Sequence, residues 1–202
     1  MVEPDPHIVP VKIIMVGSIN VGKTSLVAKY ATGKHPIKTE STKNASYVNK
    51  IKKVNGIKFE IRLWDTAGQE KYKSLTKLFI KDAKIAILVY SIDNEESLKD
   101  LDSWLELIKS MNDETVLYGV CANKSDLSSE KTIPDERGKE YAKKINAEWT
   151  STSAIINGKG IDKFVETLFI KYYNNNFTMT NAPSLSITLS SEKTKVEKKS
   201  WS

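Results

Sequence analysis

Gly17-Ser18-Ile19-Asn20-Val21-Gly22-Lys23-Thr24 fits the spacing G-x-x-x-x-G-K-[ST], the pattern of a loop that cradles phosphate. Successive backbone N–H groups converge on one concavity in such a loop, and the helix N-terminus behind it adds positive potential. Lys23 would reach the β- and γ-phosphates, and the Thr24 hydroxyl would ligate Mg²⁺. The competing reading is a glycine-bearing turn with an incidental lysine. Asp65-Thr66-Ala67-Gly68-Gln69 offers an acid that can hold Mg²⁺ through water, a Gly68 N–H that can approach a γ-phosphate, and in Gln69 a side chain able to orient an attacking water. Alone, Asp-x-x-Gly is usually a turn. In Asn123-Lys124-Ser125-Asp126, the Asp126 carboxylate can accept from N1 and the 2-amino group of guanine, a donor pair that adenine lacks. A site built for those hydrogen bonds rejects the analogue without them. The aliphatic stem of Lys124 can cover the base, and Thr152-Ser153-Ala154 would offer a backbone N–H to guanine O6. Taken alone, Asn123 to Asp126 reads more readily as a polar loop with a helix cap.

The elements around these segments put them in one place. Residues 9–16 form a short run rich in β-branched residues, expected as a buried strand, and 24–31 continue as a helix. Residues 32–46 are polar and read as a loop. Residues 47–54 and 57–64 read as two strands joined by Asn55-Gly56, a strong hairpin signal. Residues 85–90 and 116–122 are further buried strands. Between them Leu98, Leu101, Leu105 and Ile108 recur at helical spacing, in a helix expected to start near Asp93, with Glu95 and Glu96 at its positive end. Residues 134–145 and 161–172 read as helices and Trp149 as part of a short strand. The alternation predicts an α/β fold with a mostly parallel sheet and one antiparallel edge strand from the hairpin. Each candidate segment then follows a strand, at the carboxyl edge where open α/β sheets bind ligands. From Asn174 onward the chain is polar and reads as a flexible tail.

Composition narrows the class. The 202 residues suit one domain and a tail, large enough for a core without disulfides. Cys121 is the single cysteine, so no internal disulfide forms, which suits a reducing cytosol. No run approaches the roughly 20 apolar residues of a membrane span, and the start of the chain has no signal-peptide pattern. The net charge of +6 is modest, and no basic–aromatic or zinc-ligand pattern points to nucleic acid. Lys71, Lys73, Lys77 and Lys81, with Lys50, Lys52 and Lys53, suggest a basic recognition surface or a solvated face.

From about residue 9 to 173 the chain resembles the Ras superfamily of small GTPases. Trp64-Asp65-Thr66-Ala67-Gly68-Gln69-Glu70 and the following Lys71-Tyr72-Lys73-Ser74-Leu75-Thr76 resemble the Rab branch, and Glu40-Ser41-Thr42 and Asn94-Glu95-Glu96-Ser97 are similar to early-endosomal Rabs. The resemblance implies a P-loop small GTPase fold: a mostly parallel six-stranded sheet with one antiparallel edge strand and helices on both faces. It divides the chain into an extension over 1–8, a GTPase domain over 9–173 and a tail over 174–202. It implies GTP or GDP with Mg²⁺ as ligands. Thr24, Thr42 and Asp65 would serve the metal. Gly17, Ser18, Ile19, Asn20, Val21, Gly22, Lys23, Thr24, Ser25, His35, Thr42, Gly68, Asn123, Lys124, Asp126, Ser153, Ala154 and Ile155 would serve the nucleotide, and Gln69 catalysis. Residues 33–46 and 66–80 would be the switches. An exchange factor, an activating protein and effectors would meet them there, the effectors also reading Tyr47, Trp64 and Phe79, which otherwise read as ordinary packing. The implied protein is a monomer in the cytoplasm, transiently on endosomal or vesicle membranes.

Several positions depart from the family pattern. Ile19 replaces a small residue, His35 a phenylalanine against the base, and Ile155 a lysine; Lys43-Asn44 replaces Ile-Gly, and Phe79-Ile80-Lys81-Asp82 replaces Tyr-Tyr-Arg-Gly. Lys199-Ser200-Trp201-Ser202 has no cysteine and residue 2 is Val2, so the sequence as given offers neither prenylation nor myristoylation. Either such a protein works without a lipid or the chain is not the full natural product. Three functions are compatible: a slow Rab-like GTPase in vesicle transport, a GTP-locked module poor in hydrolysis, and a soluble carrier-type GTPase.

Overall fold

Ile8–Val16 forms β1, the third of six strands in one sheet. Its alternate residues serve two cores. Val11, Ile13 and Met15 join the apolar cluster on one face, and Ile14 and Val16 join the cluster on the other, as the period of two requires. The computed structural model describes residues 8–34, 46–66, 73–112, 115–127, 129, 133–156 and 160–177. After β1 come α1 (Lys23–Thr32), β2 (Ser46–Val54), β3 (Ile57–Asp65), α2 (Lys73–Ile80) and β4 (Ile85–Ser91). Then follow α3 (Glu95–Lys99), α4 (Leu101–Met111), β5 (Leu117–Asn123), α5 (Asp135–Lys144), β6 (Glu148–Ser151) and α6 (Ile161–Phe177).

The sheet order is β2-β3-β1-β4-β5-β6. Only the β2–β3 pair is antiparallel, and β2 is an edge, as the hairpin signal predicts. Asn55 and Gly56 both take positive φ, 48° and 83°, the backbone of a tight hairpin turn. Leu26, Val27 and Tyr30 of α1 pack with Phe164, Leu168 and Phe169 of α6 on one face; Leu101, Trp104 and Ile108 of α4 and Ala142 of α5 cover the other. The wholly buried β4 lies between the two layers.

Two expectations change. The helix expected from about Asp93 divides at Asp100 into α3 and α4, although its apolar stripe stays in one cluster. The Asp100 N–H reaches both Glu96 and Leu98 carbonyls, and its Oδ2 accepts from the Ser18 hydroxyl at 2.6 Å. The last helix runs to Phe177, so Asn174-Asn175-Asn176 is helical rather than tail. The anchor is aromatic. Phe177 meets Phe59 at 5.2 Å between ring centroids and stacks on Tyr173 at 5.7 Å. Phe59 also packs edge-on against Phe169 and Tyr173, and Asn55 Nδ2 donates to the Tyr173 hydroxyl at 2.9 Å.

The basic surface also divides. Lys50 pairs with Asp162 at 3.0 Å and Lys52 with Glu166 at 2.6 Å, so two of the three lysines of β2 turn toward α6. Residue 71 lies outside the described residues.

The aromatic anchor is testable. Phe177→Ala removes ring contacts with Phe59, Tyr172 and Tyr173 from a half-buried site and should cost about 1–2 kcal/mol. Thermal unfolding of the nucleotide-bound protein should show a fall in Tm of about 2–8 °C; an unchanged Tm would mean that the helix end contributes nothing to the fold.

Candidate functional site

The phosphate loop joins β1 to α1 through three positive φ angles: Gly17 at 143°, Asn20 at 62° and Gly22 at 92°. Asparagine tolerates the left-handed region, so Asn20 fits. The glycines are also sterically required. A Cβ on Gly17 would lie 2.1 Å from the Val89 carbonyl oxygen, and one on Gly22 would lie 2.4 Å from Asn123 Nδ2. Lys23 opens α1, yet its amine folds back over the loop and donates to the carbonyls of Gly17 at 2.7 Å and Ser18 at 2.8 Å. It is 5% exposed. Burial pushes its pKa down to about 8, against the opposing pull of the Asp65 carboxylate. Ile19 is 42% exposed on the same loop.

Other strand ends tie to this loop. Thr66, just after β3, donates its hydroxyl to the Met15 carbonyl at 2.7 Å. The Asn123 amide, at the end of β5, donates to the Val21 carbonyl at 2.7 Å. Lys124 takes a left-handed φ of 64° and its amine pairs with Asp93 at 3.3 Å. Asp93 also accepts from the Ser91 hydroxyl, and these contacts hold its carboxyl below the ordinary range in spite of partial burial.

The β5 and β6 loops close on each other. Ser125 N–H donates to the Thr152 carbonyl at 3.0 Å and Thr152 N–H to the Ala122 carbonyl at 2.8 Å. The Ser153 hydroxyl donates to Asp126 Oδ1. Ser153 Oγ in turn accepts from the N–H groups of Ile155 and Ile156 at 3.0 and 3.2 Å. One carboxylate oxygen is thereby fixed and the group oriented.

The structure thus gathers residues 17–25, Asp65, Asn123, Lys124, Asp126, Ser153, Ala154 and Ile155 at one edge of the sheet, with Ala154 buried and the Ile155 side chain 58% exposed. His35, Thr42, Gly68 and Gln69 lie outside the described residues. Sequence reading missed the partners: Thr66 on β1, Asp100 on Ser18, Asp93 on Lys124. None has a spacing signal, because each pair meets only through the sheet.

The donors suit the implied ligands. Thr24 and the buried Asp65 supply hard oxygens, the class that Mg²⁺ takes. Among the described residues no three His, Cys, Asp or Glu side chains cluster, so such an ion would complete its shell with water and phosphate oxygens. Asn123 Oδ1 and the Thr152 hydroxyl are buried and have no hydrogen-bond partner among the described residues, the kind of atom that a ligand or ordered water satisfies.

The Ras family profile matches residues 12–174, a stretch that contains every loop just described except the first strand's outer end. The chain is a Rab-like member of the Ras family. It is 36% identical over 146 residues to Ras-related protein Rab-21 of Geodia cydonium, covering 72% of this chain and 64% of that protein. It is 33% identical over 169 residues to Ras-related protein RabJ of Dictyostelium discoideum, covering 82% of this chain and 66% of the relative. Against Ras-related protein RABA1b of Arabidopsis thaliana the identity is 31% over 157 residues, 78% of this chain and 73% of the relative. The match therefore spans slightly less than two thirds of the length of the first two relatives.

The buried amine of this Rab-like site gives a pH test. With a pKa of about 8 in the free protein, Lys23 is about half protonated at pH 8. Bound phosphates would favour the charged form and raise that pKa. Binding of GDP should then take up about half a proton at pH 8, with affinity declining as pH rises through 8. Calorimetric titration of nucleotide-free protein in two buffers of different ionisation enthalpy measures the uptake. No uptake at pH 8 would place the amine elsewhere than in the phosphate site.

Proposed function

We propose that the protein is a guanine-nucleotide switch that binds GTP and GDP with Mg²⁺, hydrolyses GTP slowly to GDP and phosphate, and exchanges effectors in vesicle-mediated, endosomal transport. The observation that carries this reading is the orientation of Asp126. Its carboxylate is held by Ser153 in a base loop that is itself hydrogen-bonded to β5, whose Asn123 grips the phosphate loop. One connected unit therefore offers a base acceptor at one end and a phosphate cradle at the other.

Backbone N–H groups of residues 18–23 and the N-terminus of α1 would bind the phosphates, with Lys23 opposing their charge. Thr24, Asp65 and Thr42 would hold Mg²⁺, which neutralises charge on the β- and γ-phosphates when bound. Gln69 would position the attacking water. The Asp126 carboxylate would accept from guanine N1 and the 2-amino group, with the Lys124 stem against the base. The effector face would centre on Tyr47, Trp64 and Phe79. Tyr47 and Trp64 have ring centroids 4.7 Å apart and Trp64 and Phe79 5.8 Å apart, and Leu78 beside them is 72% exposed. Among the described residues no helix is long and apolar enough to cross a membrane, so residence on vesicles would depend on other contacts.

Asp126→Asn tests base recognition. Losing two hydrogen bonds to a charged acceptor should weaken GTP binding by about 10²–10⁴-fold, at about 1.5–3 kcal/mol each, while binding of the xanthine nucleotide improves because its 2-oxo group accepts from the new amide. Wild-type protein that binds ATP as tightly as GTP in a competition titration would sink the reading.

A second reading, a GTP-locked module, is favoured by one observation: the branched, exposed Ile19 side chain on the phosphate loop. Intrinsic turnover should sit at or below about 3–5 × 10⁻⁴ s⁻¹, the range of an unassisted small GTPase. Ile19→Gly should raise the rate assisted by an activating protein far more than the intrinsic one, because an incoming arginine needs that space. Single-turnover phosphate release measures both. A wild type that responds to the activating protein as fully as the variant is an ordinary cycling GTPase.

A further inference from the structure

Two lysines of α1 are buried. Lys23 belongs to the phosphate loop; Lys29, also 5% exposed, does not. A buried ammonium is costly unless hydrogen bonds replace its water. Lys29 Nζ donates to the Ser153 carbonyl at 3.3 Å and to the Ile156 carbonyl, partners 124 and 127 positions away in the chain. These carbonyls bracket Ala154 and Ile155, the turn that follows β6.

The turn has two ties with different effects. Ser153 Oγ, bonded to Asp126 and to the N–H groups of Ile155 and Ile156, shapes it from inside and joins it to the β5 loop. The Ala154 side chain packs in the apolar core, while Ile155 and Ile156 are exposed, so the outer part of the turn needs a further hold. Lys29 supplies a second attachment, to a helix. Lys23 and Lys29 are six residues apart in α1, about 9 Å along the axis at 1.5 Å per residue. Leu26, Val27 and Tyr30 fix the helix between them in the core. The helix whose first turn carries the phosphate lysine thus also holds the base turn. Among the described residues nothing accepts from the Ala154 N–H.

We infer that Lys29 is the positioning residue of the base turn: by holding the Ser153 and Ile156 carbonyls it keeps the Ala154 N–H in register with guanine O6 and sets how fast nucleotide is released. The inference rests on the guanine reading of Asp126 and Ala154 given above. Lys29 touches no reacting group; it acts through the turn.

The test uses full-length protein loaded with radiolabelled GDP or 6-thio-GDP, with release followed after an excess of unlabelled GDP. The thio analogue keeps both donors to Asp126 and replaces O6 with sulfur, a weak acceptor. Lys29→Met should speed GDP release by about tenfold, the equivalent of one good hydrogen bond's loss, and 6-thio-GDP release by about twofold or less. Lys29→Gln, which keeps a shorter donor, should lie between wild type and Lys29→Met for GDP. If Lys29→Met unfolds on heating before release can be measured, Lys29→Gln carries the same two-ligand comparison. Equal acceleration of both ligands would make Lys29 a general support of the fold and overturn the inference, as would no acceleration of either. Failure of the underlying guanine reading looks different: wild-type protein would then release GDP and 6-thio-GDP, or GDP and ADP, at the same rate.

Discussion

The hydrogen bond from the Asn123 amide to the Val21 carbonyl governs the arrangement of the site. A phosphate loop turns its N–H groups inward, so its carbonyls must find partners on the other side. Gly17 and Ser18 carbonyls take the Lys23 amine, and Val21 takes Asn123. This bond lets the amide come so close that residue 22 has no room for a Cβ. It also ties the end of β5, which carries Lys124 and Asp126, to a loop 102 positions earlier in the chain. The loop after β1 and the loop carrying Asp126 are thereby parts of one hydrogen-bonded frame.

That frame concentrates the protein's buried polarity. Lys23, Asp65, Thr66, Asn123, Thr152 and Ser153 are all buried at the carboxyl edge of the sheet, whereas the strand interiors are apolar. Burying these groups is costly, and burial lowers the Lys23 amine's pKa accordingly. A ligand that supplies charge and hydrogen bonds at this edge stabilises the folded chain by its binding free energy. In the proposed switch, nucleotide loss and loosening of the edge are coupled through the same groups.

The legible parts of the site were those carried by neighbours in sequence. Gly17 to Thr24 are contiguous because one loop and one helix start make the cradle, and Asn55-Gly56 announces its hairpin because a two-residue turn needs two positive φ angles. Pairings made by the sheet left no trace. Ser153 meets Asp126 across 27 positions and Lys29 meets Ile156 across 127. In the helix a lysine without a carboxylate at helical spacing looks like a solvated one. For Lys50 and Lys52 of β2 the converse holds: their acids are on α6, and tertiary pairing spends them in ion pairs that neither a solvated face nor a recognition surface would require. At Asn174 composition argued for tail, but propensity yielded to the packing of Phe177 edge-on to Phe59 and stacked on Tyr173.

The pairing of β2 with α6 bears on how the switch would be read. Along α6, Asp162, Glu166, Phe169, Tyr173 and Phe177 follow helical spacing, and each contacts the β2–β3 hairpin, by ion pairs at one end and rings at the other. The hairpin is thus fixed to α6 from its turn to Lys50. Tyr47 and Trp64 belong to it and are paired across the strands. Phe79 sits instead on α2. If residues 66–80 carry the second switch, two of the three aromatics form a stationary reference and the third moves against it. A partner covering the exposed Leu78 would in that case meet Phe79 against Trp64.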